Sequence, residues 1–130
     1  MRFGGRWNTA GKRIVYTAGS QSLAILEMLA HLDSSEVLGH YTFFRVEFEA
    51  LAVEEITAAM LPKNWRSYPA PRKVQEIGDA WLEKAATAVL LVPSAIVPAE
   101  GNFLLNPAHP GFATVTISGP LAYRFDARLG

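Results

Sequence analysis

The sequence predicts an α+β domain, and three observations carry that expectation. Strand-like segments outnumber helical ones. They do not alternate with helices as regular βαβ units do. A chain of 130 residues that is 50% hydrophobic has the size and apolar content for one core of its own.

The elements follow in chain order. Residues 4–13 are punctuated by Gly4-Gly5, Asn8 and Gly11 and read as turns. Arg13-Ile14-Val15-Tyr16-Thr17 is rich in β-branched and aromatic residues and reads as a short strand, closed by Gly19. Ser20 and Ser22 are candidate N-caps for a helix from Leu23 to Leu32. Leu23, Leu26, Leu29 and Leu32 recur at helical spacing there and are expected to form its buried stripe, with Glu27 at the margin.

After a polar loop at 33–40, Tyr41 to Phe48 reads as a strand. Phe44, Val46 and Phe48 share one face, and Arg45 and Glu47 the other. Residues 51–61 are expected to form a short helix, and Pro62 to Pro71 a loop around Asn64-Trp65. Residues 72–86 also read as a helix, with Val74, Ile77, Trp81 and Leu82 roughly on one face. Ala88 to Val92 is a continuous apolar run suited to a buried central strand. Strands are also expected around Phe103-Leu104-Leu105, over Phe112 to Ser118, and at the edge over Ala122 to Asp126. The domain is expected to be single, over residues 1–130.

Composition narrows the chemistry. Twelve basic residues balance twelve acidic ones, and there is no cysteine. Disulfide scaffolds, cysteine-based zinc or iron–sulfur sites and thiol nucleophiles are therefore excluded. Charge neutrality argues against direct nucleic-acid binding. No run approaches the roughly 18 apolar residues of a membrane span. The start, Met1-Arg2-Phe3-Gly4-Gly5-Arg6-Trp7-Asn8, has no apolar signal-peptide core. A cytoplasmic protein is the expectation.

Several residues could carry chemistry, and each also has an ordinary structural explanation. Glu27 and His31 are four apart on the first helix and share a face, which suits either a cleft carboxylate or a solvated surface pair. Arg6 sits in a Gly-rich turn, where a guanidinium can grip a phosphate with two bonds or simply lie at the surface. Tyr16 can stack on a planar ring or fill the core. Ser94 follows the most buried strand, in Val92-Pro93-Ser94-Ala95-Ile96, which is not a nucleophile elbow. Asn102, Asn106 and His109 cluster near one loop, where Asn-Pro and His-Pro pairs also mark turns. His31, His40 and His109 match no metal-ligand spacing. No Walker loop or G-x-G-x-x-G occurs.

The ordered set is more telling than any member. Gly4-Gly5-Arg6-Trp7-Asn8, Gly11, Val15-Tyr16-Thr17, Leu26-Glu27 and His31 closely resemble the opening of RES-domain proteins. Leu61-Pro62 with Asn64-Trp65, and Gly78-Asp79-x-Trp81, continue the resemblance. Leu91 to Pro98, Asn102, Asn106-Pro107 and His109-Pro110 complete it to about residue 118. The family takes its name from an Arg, a Glu and a Ser, which match Arg6, Glu27 and Ser94 here. Its members carry roughly twenty residues, about one strand and its loop, before the Gly-Arg-Trp cluster. This sequence has three there, so the expectation is a RES domain short of that segment.

The resemblance implies an ADP-ribosyltransferase-like fold with a central NAD cleft. It implies the toxin half of a toxin–antitoxin pair with an Xre-like antitoxin, acting as a homodimer within that assembly. The implied reaction cleaves NAD at the nicotinamide–ribose bond, by phosphorolysis, hydrolysis or ADP-ribosyl transfer. NAD is then the substrate, inorganic phosphate a co-substrate in the first case, and no metal is required. Arg6, Tyr16, Glu27 and Ser94 become the catalytic candidates. Arg6, Trp7, Tyr16, His31 and Asn106 become the NAD-binding candidates. An inactive RES-like module that still binds its antitoxin is the alternative. A glycosidic hydrolase without NAD specificity rests on Glu27 alone.

Overall fold

A computed structural model describes residues 5–31, 43–48 and 52–121, without the side chains of residues 28–31, 43 and 121. The edge strand expected at 122–126 lies outside the described residues. The architecture is α+β, and the described residues form two helices, a four-stranded mixed sheet and a two-stranded ribbon.

The sheet is built from β1 (Val15–Ala18), β3 (Val53–Glu55), β4 (Val89–Pro93) and β5 (Gly101–Leu105). Its order is β1-β5-β4-β3. β4 and β5 form an antiparallel hairpin with Val92 opposite Asn102 and Leu90 opposite Leu104. β1 adds antiparallel to β5, with Ala18 opposite Asn102 and Tyr16 opposite Leu104. β3 runs parallel to β4, and the connection between them carries helix α2 (Arg72–Lys84). A parallel pair needs such a crossover.

Residues paired across a sheet share a face. Tyr16, Ala18, Leu90, Val92, Asn102 and Leu104 therefore project to one side. That side holds the main core, where Leu90, Val92 and Leu104 meet Val74 and Trp81 of α2. The chain's three tryptophans, Trp7, Trp65 and Trp81, are all buried there. The opposite face, with Val15, Val89, Phe103 and Leu105, packs against Val46, Phe48, Phe112 and Val115. Val46 belongs to the ribbon of β2 (Phe43–Glu47) and β6 (Thr116–Leu121).

Four local expectations need correction. Residues 51–61 form strand β3 and a 3-10 turn at Ala58–Met60, not a helix. The Ala, Glu, Leu and Met content favours helix, but pairing with Val89–Leu91 overrides it, and Ile56 N–H extends the ladder to Leu91 O at 2.9 Å. Residues 110–114 are a 3-10 turn rather than the start of a strand. Pro110 presets its first residue, and His109 Nδ1 accepts from Gly111 N–H at 2.9 Å. Phe44 does not join Val46 and Phe48 in the core but is 53% exposed, because the β2–β6 register shifts between Phe43 and Arg45.

The fourth concerns α1 (Gln21–His31). Leu23 is fully buried, but Leu26 is 45% exposed. The helix faces the sheet along Leu23 and Glu27, one turn apart, instead of along Leu23 and Leu26. Leu29 and Leu32 lie outside the described side chains.

Candidate active site

Arg6, Trp7 and Asn8 occupy a tight turn that α2 holds from below. Gly78 of α2 lies so close to it that a Cβ there would come within 1.7 Å of Trp7 O. Gln75 Nε2 donates to Gly5 O at 2.8 Å. Asp79 accepts from both Thr9 N–H at 3.0 Å and Thr9 Oγ1 at 2.7 Å. Within the turn, the buried Asn8 Oδ1 accepts from Gly5 N–H at 3.1 Å and from the Tyr16 hydroxyl. Asn8 Nδ2 donates to the carbonyls of Thr9 and Lys12, each at 3.2 Å. The glycine at position 5 leaves the space that the Tyr16 hydroxyl takes, since a Cβ there would sit 2.6 Å from it.

Tyr16 is thus anchored by its tip while its body remains 39% exposed. Its hydroxyl also accepts from Trp7 N–H at 3.2 Å. Burial pushes this phenol up to about 12, with the Trp7 bond acting the other way. It therefore stays protonated and donating at neutral pH.

The Arg6 guanidinium spans to the loop ahead of α2. Its Nη1 donates to Trp65 O at 2.8 Å and its Nη2 to Ser67 O at 3.0 Å. Burial lowers its pKa, and Tyr16 and Tyr68 oppose that shift. Among the described residues Arg6 has no carboxylate partner; the one ion pair there is Lys12–Glu83. Among the described residues its charge is met by neutral carbonyls alone.

A second cluster lies where α1 meets the end of the β4–β5 hairpin. Ser94 Oγ donates to Glu27 Oε2 at 2.8 Å. Asn102 Nδ2 donates to Glu27 Oε1 at 3.0 Å. Ser94 is fully buried, and its Oγ accepts from Ile96 N–H at 3.2 Å and Val97 N–H at 3.1 Å. Those two donors take its lone pairs, so its proton goes to Glu27. A serine held this way orients a carboxylate and is poorly disposed to attack as a nucleophile.

The 65–67 segment links the two clusters. Arg6 holds its carbonyls from one side, and Arg66 Nε donates to Ala95 O at 2.8 Å on the other, next to Ser94. Tyr16 and Asn102 also share the sheet's α2 face, on adjacent strands and diagonal in register. Diagonal neighbours lie roughly 7–8 Å apart. Glu27, Ser94 and Asn102 thereby meet at one end of that face, with Tyr16 one diagonal step along it and Arg6 joined to them through the 65–67 segment.

Two sequence candidates are placed elsewhere, and a third is not described. Trp7 is 2% exposed and packs in the core. Asn106 is buried at the far end of β5, where its N–H bonds Ala88 O at 2.9 Å and its Oδ1 accepts from Ala108 N–H at 3.0 Å. It closes the strand and lies about 13 Å along it from Asn102. The His31 side chain lies outside the described residues. Sequence reasoning did not single out Asn102 for Glu27, nor Asp79 and Gln75 for the turn. Asn102 was findable, because it is two residues before Leu104 and so breaks an otherwise apolar strand face.

No group of His, Asp or Glu among the described residues could hold a metal ion. No helix there is long and apolar enough to cross a membrane.

Comparison with known proteins adds the lineage. The model of the RES domain family matches residues 1–126. "Toxin Res" of Yersinia enterocolitica is 44% identical over 128 residues, covering 98% of this chain and 84% of that protein. "Prs ADP-ribosylating toxin" of a Sphingobium species is 42% identical over 129 residues, covering 97% and 80%. "Toxin Res" of Photorhabdus laumondii is 36% identical over 128 residues, covering 98% and 82%.

Proposed function

The chain belongs to the RES domain family, and from that premise we propose that it is a toxin enzyme that cleaves NAD at the nicotinamide–ribose bond. One observation carries the reading. Both Glu27 carboxylate oxygens accept from neutral donors, Ser94 and Asn102, and no cation pairs with Glu27 among the described residues. Such a carboxylate is firmly placed and keeps its charge for a cation that develops beside it.

Cleavage of the glycosidic bond creates that cation. The C1′–N bond breaks, nicotinamide leaves as a neutral base with the bonding pair, and the ribose passes through an oxocarbenium-like state. Glu27 stabilises the positive charge and orients the ribose hydroxyls. An acceptor oxygen then bonds C1′ and gives up its proton. Arg6 binds the pyrophosphate or an incoming phosphate, for which a guanidinium met only by neutral carbonyls among the described residues is suited. Tyr16 offers its exposed ring face to the nicotinamide or ribose, because its hydroxyl is occupied by the turn. Ser94 holds Glu27, and Trp7 supports the turn from the core. On this reading the fold is ADP-ribosyltransferase-like, with a central cleft that takes NAD.

Water, phosphate or a protein side chain can serve as acceptor. The Sphingobium relative, by its name, ADP-ribosylates Prs, which favours transfer as the second reading. As a toxin the chain pairs with an antitoxin, proposed to be Xre-like, and works as a homodimer inside that assembly.

The test is product mass after incubating purified protein with NAD, with and without phosphate. ADP-ribose marks hydrolysis, ADP-ribose 1″-phosphate marks phosphorolysis, and a mass gain on added protein marks transfer. NAD left intact by folded protein under all three conditions contradicts the proposal.

A further inference from the structure

Glu27 is held by two donors from different elements; the family resemblance includes both, but makes only Ser94 a catalytic candidate and gives Asn102 no role. Asn102 sits on β5, which lies between β1 and β4 in the sheet. Its Cα pairs with Ala18 on one side and Val92 on the other, so its backbone is fixed from both directions. Two residues along, Leu104 is fully buried on the same face. Asn102 itself is half-buried there, and its amide gains from a fixed partner. Asn102 has one in Glu27 Oε1, at 3.0 Å and 75 residues away in sequence.

The geometry gives this bond a purpose. The last torsion of a glutamate is broad, so one hydrogen bond leaves the carboxylate plane free to turn. Ser94 at Oε2 and Asn102 at Oε1 fix that plane from opposite oxygens. A carboxylate offers about four lone-pair sites. One site on each oxygen is occupied, which leaves the others for ribose hydroxyls. An amide also does this without a charge that would neutralise Glu27.

We propose that Asn102 is a positioning residue for Glu27, setting the plane of its carboxylate for the reaction without itself contacting the substrate. This rests on Glu27 acting on NAD as described above. Substitution of Asn102 should slow the chemical step and leave NAD binding intact.

The experiment combines kinetics with an observation that needs no turnover. NAD consumption is measured for the wild type, Glu27→Ala, Asn102→Ala and Asn102→Leu, with thermal melts to establish folding. Asn102→Leu keeps the branched side-chain shape and removes the donor without adding a charge beside Glu27, so a purely packing role predicts that it stays active. The proposal expects both Asn102 variants to lose about 10- to 100-fold in kcat with KM for NAD within about twofold. In parallel, the Asn102 side-chain amide is followed by 15N–1H NMR. It should be protected from exchange in the wild type and should lose that protection in Glu27→Ala.

Turnover within twofold of wild type in either Asn102 variant overturns the proposal, as does a loss confined to KM. An Asn102 amide indifferent to Glu27→Ala overturns it as well. If the wild type leaves NAD untouched, the NAD reading fails by itself, and the amide signal still decides whether Asn102 holds Glu27.

Discussion

Ser94 reaches Glu27 at 2.8 Å across 67 residues of sequence, and it does so with its own oxygen already capped by the Ile96 and Val97 amides. One hydroxyl thus orders both the turn after β4 and the carboxylate from α1. Ser94→Ala should strand two amides and one carboxylate oxygen together. We expect a stability loss of about 1–3 kcal/mol by denaturant unfolding, with NAD turnover falling more than stability explains. A variant as stable and active as wild type would show that the contact matters to neither.

Arg6 makes two bonds, to Trp65 O and Ser67 O, in the fork geometry that a guanidinium supplies. A lysine keeps the charge but cannot reproduce the fork. Arg6→Lys should therefore speed hydrogen exchange at 65–67 and raise KM for NAD about tenfold or more. Unchanged exchange together with unchanged KM would remove Arg6 from both roles.

Gly78 permits α2 to cross beneath the Arg6 turn, where a Cβ would meet Trp7 O at 1.7 Å and its carbonyl carbon at 2.7 Å. Both atoms are backbone, so neither can swing aside. Alanine, normally the better helix former, should cost about 3 kcal/mol or more here. A Gly78→Ala protein that melts within a degree or two of wild type would contradict the crossing.

Tyr16 binds alkaline stability to the same turn. Its folded value of about 12 lies above the ordinary 10.0, so the native state keeps the phenolic proton longer than the unfolded chain does. Its contribution is complete below about pH 10 and drains away as pH rises toward 12. Tyr16→Phe should be less stable than wild type at neutral pH, and the gap should narrow across that window. A gap that is constant from pH 8 to 12 would contradict the assigned burial and bonding.

The legible parts of this molecule were those in which local pattern and tertiary demand agree. Val89–Pro93 reads as a buried strand because both of its faces are covered, and α2 because Val74 and Trp81 line its core side. Residues 51–61 misled because their helix-forming composition is overruled by parallel pairing to β4, a contact that local pattern does not reveal. The α1 stripe misled for a related reason. Leu26 fits the apolar period, yet the helix turns Glu27 inward to meet Ser94 and Asn102. The site showed the same division. Arg6, Tyr16, Glu27 and Ser94 stand out as candidates from their order in the chain. That Asn106 closes the far end of β5 and that Asn102 faces Glu27 depend on strand register, which pairing sets, and that Trp7 is core depends on how α2 packs against its turn.

The central claim is that the charge of Glu27, placed by Ser94 and Asn102, drives departure of nicotinamide. Glu27→Gln keeps the size and shape of the side chain and removes the charge, so nicotinamide release from NAD by purified Glu27→Gln and wild-type protein tests the claim most directly. The account predicts release by the wild type and a loss of about 100-fold or more in the variant. Equal release by the two folded proteins would contradict it.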